Sequence, residues 1–440
     1  KALILGSGGG QSHPILRLRS VEKVTAVEID PVIVRLMKNR FSEYNDGFYT
    51  DPRVTPVVAE GRTFLERTNE KYDFIEFESL DTRLYSSMMN IVPVEFRLYT
   101  REGIAEAVGR LSEGGVFRIT MGTDDMTNVV SPIVAGMPDG VHFAVYELKL
   151  NLKKLAGLGG GVDDGNQSMK VLSGWTEKVP QVAIFASRDE RAIERINDWY
   201  ASLGPEAEGH VRKVDVVPDT EALLTDDHPF LSKPLVSVSR VLSAVMVAIF
   251  LLPALVTARS GVNGRMHYFY YFIGGGFVGL ETLIIALGVR GSLNPALTAL
   301  MLASVFLAGN AAACAASSVL RPGRTAVLAA AGLIAAGAYY SHILTAGPGA
   351  SLAASFGAGL VSGVFWPAAL SLTPQNGRRR ALASDAFGAL PGVILFHGFV
   401  FAYGFHTAGM AMAAMYVAAA AVFIVFSGTM KNARGEPPRE

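Results

Sequence analysis

Four acidic residues, Glu28, Glu60, Glu78 and Asp81, each close a short apolar run, and a glycine cluster, Gly6, Gly8, Gly9 and Gly10, closes another. Glycines at such a turn let backbone N–H groups approach a ligand with no Cβ in the way. An acidic residue about 20 positions further on is placed to accept hydrogen bonds from ribose hydroxyls. Gly6, Gly8, Gly10, Gln11, Glu28 and Asp30 together predict a ligand that carries a nucleoside. Gly6-x-Gly8 matches only half of the dinucleotide fingerprint, because Gln11 stands where the third glycine belongs, so NAD is not the expected ligand. A carboxylate such as Glu78 or Asp81 can take the proton of an attacking amine. Asp81 reads equally well as a helix N-cap, and Glu28 has the alternative of a surface acid at a strand end.

The elements that must position these residues are a strand over Lys1–Leu5, a helix after the glycine turn, and a strand over Val24–Val27. A helix from Pro31 has apolar Val32, Ile33, Leu36 and Met37 at helical spacing. A strand over Val54–Ala59, a short helix over Thr63–Asn69 and a strand over Tyr72–Phe77 follow. This alternation predicts a parallel sheet with helices on both faces, and ligands bind at the carboxyl ends of such strands. The acidic residues all fall at those ends. They suit a mononucleoside with a charged tail better than a dinucleotide.

The segments VEKVTAVEIDP, NDGFYTDPRVTPVVAEGRTFLERTNEKYDFI and LYTREGIAEAVGRLSEGGVF resemble the core of the spermidine synthase (polyamine aminopropyltransferase) family, roughly over residues 1–120. The resemblance implies a class I methyltransferase-like, Rossmann-like α/β fold. It implies decarboxylated S-adenosylmethionine as co-substrate, methylthioadenosine as product and no metal. Glu28 would hold the ribose hydroxyls, Glu60-Gly61 would lie near the adenine, and Glu78 with Asp81 would help to deprotonate the amine. The family's glycine loop carries an aspartate where this chain has Gly9, and its acidic loop D-S-x-D-P reads Glu78-Ser79-Leu80-Asp81-Thr82 here. The change at Gly9 removes a carboxylate that would recognise an aminopropyl ammonium. The family's N-terminal β-hairpin region is also not in this sequence, and a start at Lys1 inside a strand leads us to expect a missing upstream segment.

Residues 121–234 are less patterned. MGTDDM reads as a polar loop over the site, Gly157–Gly161 and Asp163–Gly165 as a flexible excursion, Val182–Ala186 as a strand and Glu190–Leu203 as a helix. Asp226, Asp227 and His228 are adjacent residues, which seldom converge on one ion, so a turn or cap is preferred to a metal cluster.

Half of the 440 residues are hydrophobic and 18% are charged, with 39 Lys and Arg balancing 39 Asp and Glu. The deficit of charge is concentrated late in the chain, since residues 241–428 hold only two acids, Glu281 and Asp385. Expected domains are therefore a soluble one over 1–234, an all-α membrane domain over 235–430 and a polar tail over 431–440. The apolar runs are Val241–Ala258, Tyr268–Val289, Pro295–Val319, Ala326–Leu344, Leu352–Leu372, Phe387–Phe405 and Met410–Phe426, about seven spans. A T-D-D-x-P-F segment before them and the run YFIGGGFVGLETLIIALG resemble a membrane-fused branch of the same family. Glu281, inside that run, is the membrane-domain candidate, because a carboxylate in hydrocarbon usually faces a cavity or a partner. A structural hydrogen bond between helices is its alternative. Asp385, His397 and His406 are weaker candidates. Cys314 is the only cysteine, which excludes an internal disulfide and a cysteine-based zinc site.

Basic residues follow the first, third, fifth and seventh runs, so the positive-inside rule puts those ends in the cytoplasm and the soluble half outside. Adenosyl sulfonium donors are made in the cytoplasm. We expect a soluble domain on that face of a bacterial inner membrane, with one run re-entrant or miscounted. The expected activity is a membrane-bound transferase acting on an amine or a membrane-delivered acceptor. An S-adenosylmethionine-dependent methyltransferase and a nucleoside sensor regulating a transporter-like membrane half are the alternatives. The lipid bilayer and a second copy of the chain are expected partners, and nucleic acid is not, because no basic tract of binding length exists.

Overall fold

The computed structural model describes residues 1–78, 96–123, 125–148, 181–203, 211–229, 237–248, 262–290, 292, 294–320, 323–339, 348–373 and 375–434. The chain forms two units, Lys1–Ser232 and Lys233–Glu440.

In the first unit β1 (Ala2–Leu5), β2 (Val24–Glu28), β3 (Val54–Val58), β4 (Tyr72–Glu78), β5 (Leu111–Gly122), β6 (His142–Leu148), β7 (Gln181–Ser187) and β8 (Val211–Val214) build one sheet. Their order is β3-β2-β1-β4-β5-β7-β6-β8. Every residue of β1 and β2 is buried, as continuous apolar runs in the middle of a covered sheet should be. Pro56 lies in β3, an edge strand, where a missing N–H costs no ladder bond. The first five strands pair in parallel. The expectation of a wholly parallel sheet fails beyond them, because β7 pairs antiparallel with β5 and β6, and β8 antiparallel with β6. The regular strand–helix alternation stops after β5, and only crossover helices return a chain in the parallel sense.

Helix α1 (Pro31–Asn39) starts at Asp30, whose carboxylate accepts from the Val32 N–H, with Pro31 in its first turn. Helix α2 spans Gly61–Arg67, α3 spans Phe96–Tyr99, α4 spans Arg101–Gly109 and α5 spans Ser131–Ala135. Helix α6 (Glu190–Ser202) is capped by Asp189. The helix expected after the glycine turn is instead a 3-10 segment, His13–Arg17, with Pro14 in its first turn. Without a run of i→i−4 bonds there is no helix N-terminus of useful length behind the glycines. A pyrophosphate site of the dinucleotide kind needs one. Of MGTDDM, expected as a loop, Met121 and Gly122 close β5 and Met126 opens a π-helical turn, Met126–Val130, capped by Asp125, with Val129 and Val130 buried. Asp124, Gly157–Gly161 and Asp163–Gly165 lie outside the described residues.

The second unit holds α7 (Ser237–Ala248), α8 (Val262–Gly288), α9 (Pro295–Leu320), α10 (Arg324–Tyr339), α11 (Pro348–Ser362), α12 (Phe365–Leu372) and α13 (Arg378–Arg434). Among the described residues four helical stretches are long and apolar enough to cross a membrane: His267–Gly288, Pro295–Ser317, Gly349–Leu372 and Arg378–Ser427. The last contains two of the expected runs, and Gly404 interrupts it at φ 89°, a value open to glycine alone at little cost. Phe423, Tyr416 and Gly409 of its second limb face Phe269, Gly276 and Leu283 of α8, so the two run antiparallel. Gly388, Gly392 and Phe396 of its first limb face Tyr271, Gly275 and Gly279, so those two run parallel. The limbs therefore form a hairpin about Gly404. Paired contacts set the other directions: Ser243 with Gly398 and Arg240 with Tyr403, Phe277 with Phe306 and Gly288 with Leu302, Leu302 with Ser355 and Phe306 with Gly359, Tyr339 with His406 and Arg324 with Ser427. Directions alternate over the described parts of the seven runs. The expected polar tail begins late, since α13 continues to Arg434.

Candidate active site

The strand order reverses at β1, whose neighbours β2 and β4 diverge in sequence, and the crevice beyond their carboxyl ends is where an open α/β sheet holds ligands. The glycine turn fills this place. Gly6, Gly8 and Gly10 take φ of 75°, 43° and 79°. A Cβ on Gly10 would lie 2.9 Å from Asn45 Nδ2 and 3.1 Å from a Phe48 ring carbon, so space and backbone conformation both require glycine there.

Glu28, at the end of β2, is buried. Its Oε2 accepts from the Gly8 N–H and its Oε1 from the Asp30 N–H, each at 2.9 Å. Each oxygen keeps a second lone pair, which leaves capacity for a ligand's hydroxyls. Asp30 is taken up in capping α1, and Gln11 is exposed.

The resemblance placed Glu60 near an adenine, but its carboxylate is 2% exposed and turned to its own helix. It accepts from the N–H groups of Arg62 and Thr63 at 2.8 Å and from the Thr63 hydroxyl at 2.7 Å. Arg97 stands 3.9 Å away. Four orphan N–H groups at the start of α2 need acceptors, and Glu60 is the residue in reach. Gly61 is the member of that pair that touches the site's frame. A Cβ there would lie 3.1 Å from Leu98 Cδ1 and 3.5 Å from Cδ1 of Leu5, the residue before the glycine turn.

Glu78 ends β4 and differs from the other acids. Among the described residues its Oε2 is buried with no hydrogen-bond partner, and the Thr120 hydroxyl, on its register partner in β5, is in the same condition. Burial, with the nearby Glu76 carboxylate adding to it and against the pull of the Ser12 hydroxyl and Arg118, pushes the Glu78 carboxyl up to about 8. Glu76 itself is satisfied, by Ser12 at 3.0 Å and by the Arg118 guanidinium, whose Nε lies at 2.9 Å. The carboxylate that keeps a buried oxygen without a hydrogen bond is thus Glu78, not Glu76. Asp81 lies outside the described residues.

Tyr49 and Asn45 were not singled out from the sequence. The Tyr49 hydroxyl donates to the Gly8 carbonyl at 2.7 Å and meets Ser7 Oγ at 2.9 Å. Burial pushes its phenol up to about 12, against the Ser7 hydrogen bond and with added repulsion from Glu28 and Glu78. Asn45 Nδ2 donates to the Gly9 carbonyl at 3.1 Å. Both belong to NDGFYTDP, a segment inside the quoted resemblance. That match was their only signal, since nothing local distinguishes a loop tyrosine that braces a backbone 41 residues away. Asp226, preferred as a turn residue, sits in a Thr225–His228 turn. It accepts from the Thr100 hydroxyl at 2.8 Å and faces Arg62 at 3.7 Å.

A glycine turn at a strand-order reversal and an acid tied to its backbone belong to a Rossmann-like α/β domain. The comparisons with known proteins are more particular. Residues 1–127 match the sequence profile of the spermine/spermidine synthase domain, so this part of the chain is similar to that family. The polyamine aminopropyltransferase of Sulfolobus acidocaldarius is 40% identical over 80 residues, 18% of this chain and 26% of the relative. That of Sodalis glossinidius is 35% identical over 118 residues, 27% and 38% of the two chains. The chain thus spans well under half the length of these curated relatives. Among solved structures, a spermidine synthase bound to the transition state analogue AdoDATO is 19% identical, with a TM-score of 0.31 over 44% of this chain and 56% of that one. Human methyltransferase-like protein 13 with SAH is 18% identical, with a TM-score of 0.29 over 44% of this chain and 80% of that one.

Proposed function

We propose that the N-terminal unit binds an adenosyl sulfonium donor and transfers its aminopropyl group to an amine, in a chain held in a bacterial inner membrane by its C-terminal half. The observation that carries this reading is Glu78 at the end of β4, whose Oε2 is buried with no hydrogen-bond partner among the described residues. In decarboxylated S-adenosylmethionine the methylene carbon beside the sulfonium is the electrophile. The amine nitrogen bonds to that carbon as the C–S bond breaks, and the electron pair stays on sulfur in neutral methylthioadenosine. The amine then carries an excess proton, which Glu78 in its carboxylate form accepts. Glu28 would hold the ribose and the backbone of Gly6 to Gly10 would lie along the donor, fixing the carbon in line with the amine. Gly61 would border the adenine. Glu60 and Asp30 would act through the helices that they cap, and Asp81 would be the second acid of the loop after β4.

Methyl transfer from S-adenosylmethionine is the second reading. Gly9 supplies no carboxylate for an aminopropyl ammonium, and Arg118 brings a cation to Glu76 instead. Incubation of the full chain with each labelled donor and a set of amines separates the two. Methylthioadenosine means aminopropyl transfer and S-adenosylhomocysteine means methyl transfer. Donor binding with neither product would support a sensing domain.

A further inference from the structure

The face of the sheet that carries Glu78 also carries a cation, and the two together define a class of acceptor. Residues two apart on a strand share a face, so Glu78 and Glu76 of β4 stand in successive rows, each beside its register partner in β5, Thr120 and Arg118. In the first row Glu78 Oε2 and the Thr120 hydroxyl are buried with no hydrogen-bond partner among the described residues. An amine bound there has an N–H group for each of them. The second row lies about 7 Å further down the strands, at 3.3 Å per residue. There Glu76 Oε2 accepts from the Ser12 hydroxyl at 3.0 Å, and Oε1 takes Arg118 Nε at 2.9 Å together with Nη2.

The two halves of this ion pair are not equally accessible. The Glu76 side chain is 3% exposed and the Arg118 side chain 34%. The guanidinium lies 5.4 Å from the centre of the Phe74 ring, and Phe185 of β7 is its register partner on the other side. Among the described residues its Nη1 has no acceptor. A ligand that extends along this face from Glu78 therefore meets a guanidinium held on an aromatic ring, with the compensating carboxylate buried. The second ammonium of a diamine would be set against that cation, whereas a carboxylate would gain charge-assisted hydrogen bonds from it. We propose that the acceptor is an amine with an acidic tail, its nitrogen at Glu78 and Thr120 and its anionic group at Arg118. A linker of about three methylenes suits the spacing of the two rows. This inference rests on Glu78 as the group that receives the amine, and it adds Arg118 as the residue that selects the tail.

The test measures binding by calorimetry to the full chain in lipid nanodiscs, with and without methylthioadenosine, so that no turnover occurs. The probes are 4-aminobutanoate, butylamine and 1,4-diaminobutane, which share the amine and differ in the tail. 4-Aminobutanoate is expected to bind about tenfold or more tightly than 1,4-diaminobutane, with butylamine between them. Arg118→Gln should abolish or reverse that order, and Arg118→Lys, which keeps the charge, should preserve it. Glu76→Gln leaves the guanidinium uncompensated and should tighten 4-aminobutanoate further, a readout that stands even where Arg118→Gln does not fold. Equal affinities in the parent chain, tighter binding of the diamine, no binding of 4-aminobutanoate, or an order unmoved by Arg118→Gln overturns the proposal. Turnover is read separately with each labelled donor. The expected order without methylthioadenosine or S-adenosylhomocysteine as product supports the acceptor site and counts against transfer. Methylthioadenosine formed with 1,4-diaminobutane alone supports transfer and overturns the acceptor class.

Discussion

Glu78 is where burial and chemistry meet. Its carboxyl is raised from 4.5 to about 8 by burial first and by Glu76 second. The folded state then binds this proton more tightly than the unfolded chain, so stability is greatest below pH 4.5, falls as pH rises towards 8 and is level above. Thermal unfolding of Glu78→Gln across this range should lose that slope, with the variant no less stable than the parent at alkaline pH. The catalytic consequence has the opposite direction in pH. Only the carboxylate accepts a proton, so kcat/KM for an amine should rise as pH approaches about 8, a limb that Glu78→Gln removes while lowering the rate by about 10²–10⁴-fold. A pH profile unchanged by the substitution would assign the base elsewhere. Gly10 makes a purely steric prediction. Gly10→Ala meets Asn45 and Phe48 at φ 79° and should cost about 1–3 kcal/mol in denaturant unfolding of the N-terminal unit within the full chain.

Among the elements, the turn after β1 is held by its neighbours rather than by a helix behind it. Tyr49 and Asn45 bond to the carbonyls of Gly8 and Gly9, and Glu28 to the Gly8 N–H. Tyr49→Phe keeps the ring packed on Phe48 but frees the Gly8 carbonyl. Denaturant unfolding of the full chain should show a loss of about 1–3 kcal/mol, the cost of an unsatisfied buried group, and donor affinity measured by calorimetry should weaken as the turn loses its brace. Glu60→Ala removes an N-cap and should destabilise the unit by about 0.5–2 kcal/mol. Because Glu60 acts through α2, its loss should lower stability more than it alters donor affinity. A dominant affinity effect would return Glu60 to the ligand.

On the scale of the whole molecule, the alternation of seven helical runs gathers Arg324 and Arg378 to Arg380 at the end of the bundle where α8 starts. There Arg324 bonds to Ser427, and Ser384, one turn after Arg380, meets His267. Helix α7 starts at the other end, where Arg240 covers Tyr403 beside Gly404. Positive-inside bias puts the arginine-rich end in the cytoplasm. The transferase reading needs the opposite, with the end where α7 starts in the cytoplasm: with Cys314 replaced, single cysteines near residue 407 should resist a membrane-impermeant maleimide in intact cells, and cysteines near residue 377 should react. The same reagent on the N-terminal unit tests the donor. A unit labelled from outside would have no access to a cytoplasmic sulfonium and would remove the transferase reading.

Local pattern was enough for the strands β1 to β4, the cap at Asp30, the acid at the end of each strand and the division into a charged half and an apolar half. Those features depend on side chains near in sequence and on hydropathy summed over a segment. It did not reach β6 and β8, nor the antiparallel return of β7, because strand partners are chosen across the chain. Nor did it sort the acids. Glu28, Glu60, Glu76 and Glu78 look alike in sequence, yet one is tied to the glycine turn, one caps a helix, one is neutralised by Arg118 and one is left unpaired. Which carboxylate keeps a free oxygen depends on what the fold brings beside it, and only the tertiary structure decides that for the glycine turn and for Glu78.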